Sequence, residues 1–147
     1  IDHDYQQPEP PAQGGDMVWQ HDYHDDYVYS VYESNGVVYS GSWDDTVMAF
    51  DYEEDKILWR HEHHDSSVAY VVEHNGVVYS GAYDGKVVAA DASDGSLIWE
   101  HTHHNRAVYS VDVADGVVYS GSGDSTVIAD SVCFRYTSPM VLFTVDL

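Results

Sequence analysis

Positive charge is what this sequence most lacks. Five Lys and Arg stand against 26 Asp and Glu, for a net charge of −21. Nucleic acid is excluded as a natural partner, because phosphate binding needs clustered Lys and Arg. Anionic membrane surfaces are excluded on the same ground. There is one cysteine, Cys133, so no disulfide can form within the chain. No run approaches the ~20 apolar residues of a membrane-spanning helix, and no signal-peptide core is visible. Helical periodicity is absent throughout. The chain begins at Ile1 rather than Met. A cleaved export signal is one route to such a start, and an extracellular or cell-surface location is favoured over the cytoplasm.

The charge carries its own implication. Self-repulsion of this size costs stability in dilute buffer. It is tolerable in molar salt, where the Debye length shrinks to about 3 Å. The scarcity of Lys, with only Lys56 and Lys86, and the Asp-rich turns resemble proteins of salt-loving archaea. Hydrophobic residues nevertheless make up 44% of the chain, so this is not a disordered acidic tail.

What is present is a repeat. Trp19, Trp59 and Trp99 are spaced 59−19 = 99−59 = 40 apart. Gly41, Gly81 and Gly121 keep the same spacing, each closing a Tyr-Ser-Gly tripeptide. Constant columns also fall at His21/His61/His101, Val28/Val68/Val108, Gly36/Gly76/Gly116 and Val47/Val87/Val127. A fixed period of this length signals an array of one supersecondary unit. The repeats run over about 27–63, 67–103 and 107–130, the third lacking its last strand, and a segment 16–22 that matches such a strand precedes the first. Residues 1–15 read as a flexible Pro/Gln/Gly leader and 131–147 as a divergent apolar tail.

Each unit holds short β-rich runs separated by turn signals. In the second copy they are Ser67–Glu73, Val77–Ala82, Lys86–Asp91 and Ser96–His101. Asn75-Gly76 and Asp84-Gly85 are the strongest short hairpin signals, since a primed turn needs positive φ at both central residues. Four antiparallel strands in about forty residues is the size of a propeller blade. The predicted fold class is therefore all-β, a β-propeller array of three four-stranded blades.

Two families share these residues. The stretch HHDSSVAYVVEHNGVVYSGAYDGKVVAAD resembles a WD-repeat core, with a His four residues before a Val, then Ser-Gly, then an Asp ahead of the third strand. The stretch VVAADASDGSLIW resembles the quinoprotein-type repeat, whose blades carry Asp-x-x-x-Gly before a Trp. The resemblance spans about residues 19–130. It departs from the WD pattern where the third-strand Trp is replaced by Phe50 and Ala90. It implies a propeller fold and leaves function open. No cofactor signature is visible; a quinoprotein-like enzyme is the alternative that the second family brings.

Ser, His and Asp recur as His24/Ser40/Asp44, His64/Ser80/Asp84 and His104/Ser120/Asp124. A hydrolase triad uses these residue types. Threefold recurrence argues instead for a structural role, since a catalytic site would break the symmetry. The WD-repeat resemblance implies the same: there the matching residues form a buried hydrogen-bond network within a blade. No catalytic residue and no metal is assigned. Alternation along a strand puts His61 with His63, and His101 with His103, on one side, away from His64 and His104. Those four are the candidate ligands should a metal-binding propeller be the answer, and they fall short of a complete set unless neighbouring blades contribute.

Three blades do not close a ring, because propellers use about four to eight. An open array exposes apolar blade faces. Self-assembly resolves this: two chains give 2 × 3 = 6 blades, with Val18 and Trp19 of each completing the third blade of the other. The expected partner is another copy of the chain, in a ring or, where rotation fails to close, a filament.

Overall fold

The computed structural model describes residues 14–15 and 17–132. The segments called leader and tail lie outside them, apart from Gly14–Gly15 and Ser131–Val132. Among the described residues there are eleven strands and no helix. They form three antiparallel sheets. The first orders β1 (Val28–Ser34), β2 (Val37–Ser42), β3 (Val47–Asp51) and β4 (Lys56–His61) side by side. The second repeats this with β5 (Val68–His74), β6 (Val77–Ala82), β7 (Val87–Asp91) and β8 (Leu97–His101). The third has β9 (Val108–Ala114), β10 (Val117–Ser122) and β11 (Val127–Ser131), and no fourth strand among the described residues.

Turn chemistry explains the meander. Asn35-Gly36, Asn75-Gly76 and Asp115-Gly116 each have both residues at positive φ, between 49° and 84°, which is the primed geometry that matches strand twist. The second turn differs from the sequence reading. At Asp84-Gly85 only Gly85 is left-handed, with φ 80°. Gly85 N–H donates to Ala82 C=O and Ala82 N–H to Lys86 C=O, closing a three-residue loop rather than a two-residue hairpin. The left-handed residue of such a loop is its last, Gly85 here and Asp45 and Ser125 in the other blades. Bulges recur too: the β1–β2, β5–β6 and β9–β10 ladders each shift register near residues 29, 69 and 109. Such shifts sharpen the twist each blade needs.

The core lies between blades, not within them. Tyr39, Val47, Ala49 and Trp59 of the first blade meet Val68, Val71, Val78 and Ala82 of the second. Tyr79, Val87 and Ala89 then meet Val108, Val111 and Val118 of the third. The approach is close enough to require glycine. A Cβ on Gly41 would sit 2.6 Å from Val68 Cγ1, and one on Gly81 2.5 Å from Val108 Cγ1.

The third blade outlasts its sequence match. Val117 faces Ser131 and Val118 faces Asp130, as Val77 faces Asp91 and Val78 faces Ala90. Val132 N–H reaches Gly116 C=O at 3.0 Å, as Ala92 N–H reaches Gly76 C=O at 2.9 Å. The pairing carries on past residue 130 because the ladder bonds backbone and tolerates changed side chains.

Candidate functional site

Each blade holds one His-Ser-Asp set. The loop entering the inner strand supplies the His, the second strand the Ser, and the following turn the Asp. In the second blade His64 Nδ1–H donates to Asp84 Oδ2 at 3.0 Å, and Ser80 Oγ–H donates to His64 Nε2 at 2.8 Å. The tautomer follows from this pairing. His24 lies 3.0 Å from Asp44 and 2.7 Å from Ser40. His104 lies 3.1 Å from Asp124 and 2.8 Å from Ser120. The Asp also accepts backbone N–H groups, from Asp25 and Thr46 in the first blade, Asp65 and Lys86 in the second, and Asn105 and Thr126 in the third.

Those donors decide the charge state. Burial alone would push the Asp44 carboxyl up, but the Thr46 hydroxyl, the Asp25 N–H and His24 outweigh it and hold it at about 2. Asp84 is likewise held below the usual carboxylate range: burial opposes this, and His64 with the Lys86 and Asp65 N–H groups prevails. Asp124 is lowered chiefly by the Thr126 hydroxyl. The carboxylates are fixed as anions inside closed networks. In the second blade both His64 and Ser80 are buried.

A second arrangement, which the sequence reading did not assemble, runs along the outer strands. Trp59, His61 and His63 stack in series, with ring centroids 5.5 and 4.2 Å apart. Trp99, His101 and His103 follow in the same order at 4.7 and 4.8 Å, with Trp99 tilted on His101, and Trp19, His21 and Tyr23 stack at 5.4 and 4.7 Å. The signal was an i, i+2, i+4 spacing of rings, which a strand places on one face. Each ladder clamps the next blade. Trp59 Nε1–H donates to Ala92 C=O at 2.8 Å, and its ring lies on Gly95, where a Cβ would come within 2.7 Å. His63 Nε2–H donates to Gly95 C=O at 2.9 Å. His61 is buried with Nε2 unpartnered; burial first, then His63 and His64, push its pKa down to about 3, so the ring is neutral.

The residue facing each ladder from the next blade differs: Phe50, Ala90 and Asp130. Phe50 packs on His21 at 4.2 Å. Asp130 Oδ1 lies 3.4 Å from His103 Nε2. The His pairs of neighbouring blades do not join. Among the described residues, the ligand cluster of three or more is His101, His103 and Asp130. Val18 and Trp19 form no strand here: residues 17–24 belong to no sheet. Trp19 stacks on Tyr52 at 6.1 Å, the position that Ala92 holds beneath Trp59.

Sheets of this order, packed face to face through their inner strands, define consecutive blades of a β-propeller. The comparisons agree. Residues 43–132 match the model of the PQQ-type repeat family described as "Outer membrane protein assembly factor BamB", and the chain belongs to that family. Among solved structures, it is similar to the WD40 β-propeller domain of Doa1, with TM-score 0.70 and 23% identity. The match covers 81% of this chain and 40% of that one, so the chain spans about two fifths of the relative's length. At this identity the likeness shows the fold alone. No curated protein matches the sequence.

Proposed function

We propose that the chain is a non-enzymatic interaction module whose blades dock onto a second copy of itself through blade completion. The observation that carries this is the contrast between internal and terminal blade faces. Val68 and Val71 are 0% and 1% exposed, and Val108 and Val111 0% and 2%, whereas their counterparts Val28 and Val31 are 50% and 66% exposed. At the other end Tyr119 and Val127 are 42% and 77% exposed, against 5% and 0% for Tyr39 and Val47. The two open faces are complementary by construction, since every internal seam already joins one to the other.

The docked geometry follows from the repeat. Val28 of one copy meets Gly121 of the other, as Val68 meets Gly41. Tyr119 packs on Trp19 of the partner, as Tyr39 packs on Trp59 with centroids 6.0 Å apart. The segment carrying Val18 and Trp19 pairs along β11, in the register of Ala49 with Trp59. A groove of about 380 Å³ between the Trp19 segment and the first blade, lined by Val28, Val31 and Val38, is where the partner's third blade enters. Burying a valine side chain is worth about 1.5–3 kcal/mol. Val28, Val31 and Val127, each half or more exposed, together offer roughly 3–5 kcal/mol per seam. A six-blade ring forms two such seams. The net charge of −21 fits a protein working in molar salt, where two such anions can approach. The family description names an assembly factor, which agrees with an interaction role.

Light-scattering mass in about 3 M KCl tests the reading. The expected mass is 2 × 16.5 = 33 kDa. Val28→Asp and Val127→Asp, both at positions exposed in the single chain, should each give folded monomers. A monomeric parent chain, or a mass unchanged in both variants, would reject the assembly.

A further inference from the structure

We propose that His101, His103 and Asp130 form a divalent metal site, of the kind taken by Zn²⁺, that clips the second blade to the third. Each offers one ligand atom, and the three atoms all lie within 4.8 Å of one another. His103 Nε2 and Asp130 Oδ1 are already 3.4 Å apart. Ligands at about 2.0–2.2 Å from a tetrahedral zinc stand at about that separation. Two imidazoles and one carboxylate suit a first-row divalent ion. The two imidazoles come from the end of β8 and the residues after it, and the carboxylate from β11, so the ion bridges a seam. His103 is exposed while the Asp130 side chain is nearly covered, so the coordination sphere keeps an open side for water.

The site breaks the threefold symmetry, which separates it from the repeated networks. The position equivalent to Asp130 holds Phe50 in the first blade and Ala90 in the second. There His61 is sealed against Trp59, and His63 is committed to Gly95. At the third blade the facing residue becomes an anion, on a strand whose register with β10 matches that of β7 with β6. Asp130 has no role in the His-Ser-Asp network, and nothing in propeller folding requires a charge there.

The test uses the metal-stripped chain in high salt, titrated with Zn²⁺ by calorimetry and with Co²⁺ by visible absorption. One equivalent should bind, Co²⁺ should give the intense visible bands of a four-coordinate site, and Zn²⁺ should raise the melting temperature. Asp130→Ala installs the residue that the second blade carries at Ala90, so folding should survive, while Zn²⁺ affinity should fall at least tenfold and the thermal shift should vanish. His103→Gln should do the same. The double variant His61→Gln, His63→Gln should bind one equivalent as before. Absence of saturable binding, or affinity retained in Asp130→Ala, would overturn the site, as would loss of binding in the His61/His63 variant alone.

Discussion

Replacing His64 by Ala should destabilise the fold more than any other single change to the three networks. Among the described residues His64 is the sole side-chain donor to Asp84, because Lys86 stands where the first and third blades have Thr46 and Thr126. Without the imidazole, Asp84 keeps two backbone N–H donors, from Asp65 and Lys86. The Ser80 hydroxyl, fully buried, loses its partner. An unsatisfied buried polar group costs about 1–3 kcal/mol, and the vacated ring adds a cavity term. We expect a loss of about 2–3 kcal/mol, or about 10 °C in melting temperature for a unit of this size. His104→Ala should cost less, since Asp124 retains the Thr126 hydroxyl as well as the Asn105 and Thr126 N–H groups. Urea unfolding in high salt measures both. Adding Ser80→Ala in a double-mutant cycle should recover part of the loss by removing the orphaned hydroxyl. A His64→Ala protein within about 0.5 kcal/mol of the parent, or a larger loss for His104→Ala, would refute the structural reading of these sets.

Two further outcomes follow from the charges. The His61 pKa of about 3 lies below its ordinary value, so the unfolded chain takes up a proton that the folded chain refuses; stability is full above about pH 6.5 and falls with pH, by about 2 kcal/mol near pH 5. His61→Phe should flatten that slope in urea titrations at high salt, leaving the lower limb where Asp44, held at about 2, loses its contribution as pH falls through the carboxylate range toward that value. Melting temperature should climb steeply between about 0.1 and 3 M KCl, and a flat or falling curve would remove the salt-screening argument.

The strands were legible because period-two alternation, a 40-residue repeat and the Asn-Gly turns all state the same thing locally. Val77–Ala82 falls on β6 residue for residue, and Ser96–His101 overlaps β8 from Leu97 onward. The turn at Asp84-Gly85 was misread because dipeptide identity does not reveal loop length: Tyr83 belongs to the loop too, and only its last residue is left-handed. The membership of the His-Ser-Asp sets was visible as spacing, but their closure depended on distances no spacing gives. Alternation put His61 with His63, and their rings stack. What it could not supply was the facing residue. Asp130 sits where similarity to the other copies fades, and its partners are 27 and 29 residues earlier, on a different blade (130−103 and 130−101). Only the β10–β11 register places it opposite the ladder.

The internal seams are all drawn to one pattern: a Val pair on the leading face, a Gly, Tyr and Val on the trailing face, and a Trp closing over the top. Cohesion therefore belongs to the junction and not to the unit. A chain with one blade fewer, or one more, would present the same leading and trailing faces, and docking of the kind proposed above would need no new residues. In the proposed assembly, ring size is a matter of counting, open to change by unequal recombination of a 40-residue cassette, while the chemistry of contact stays fixed.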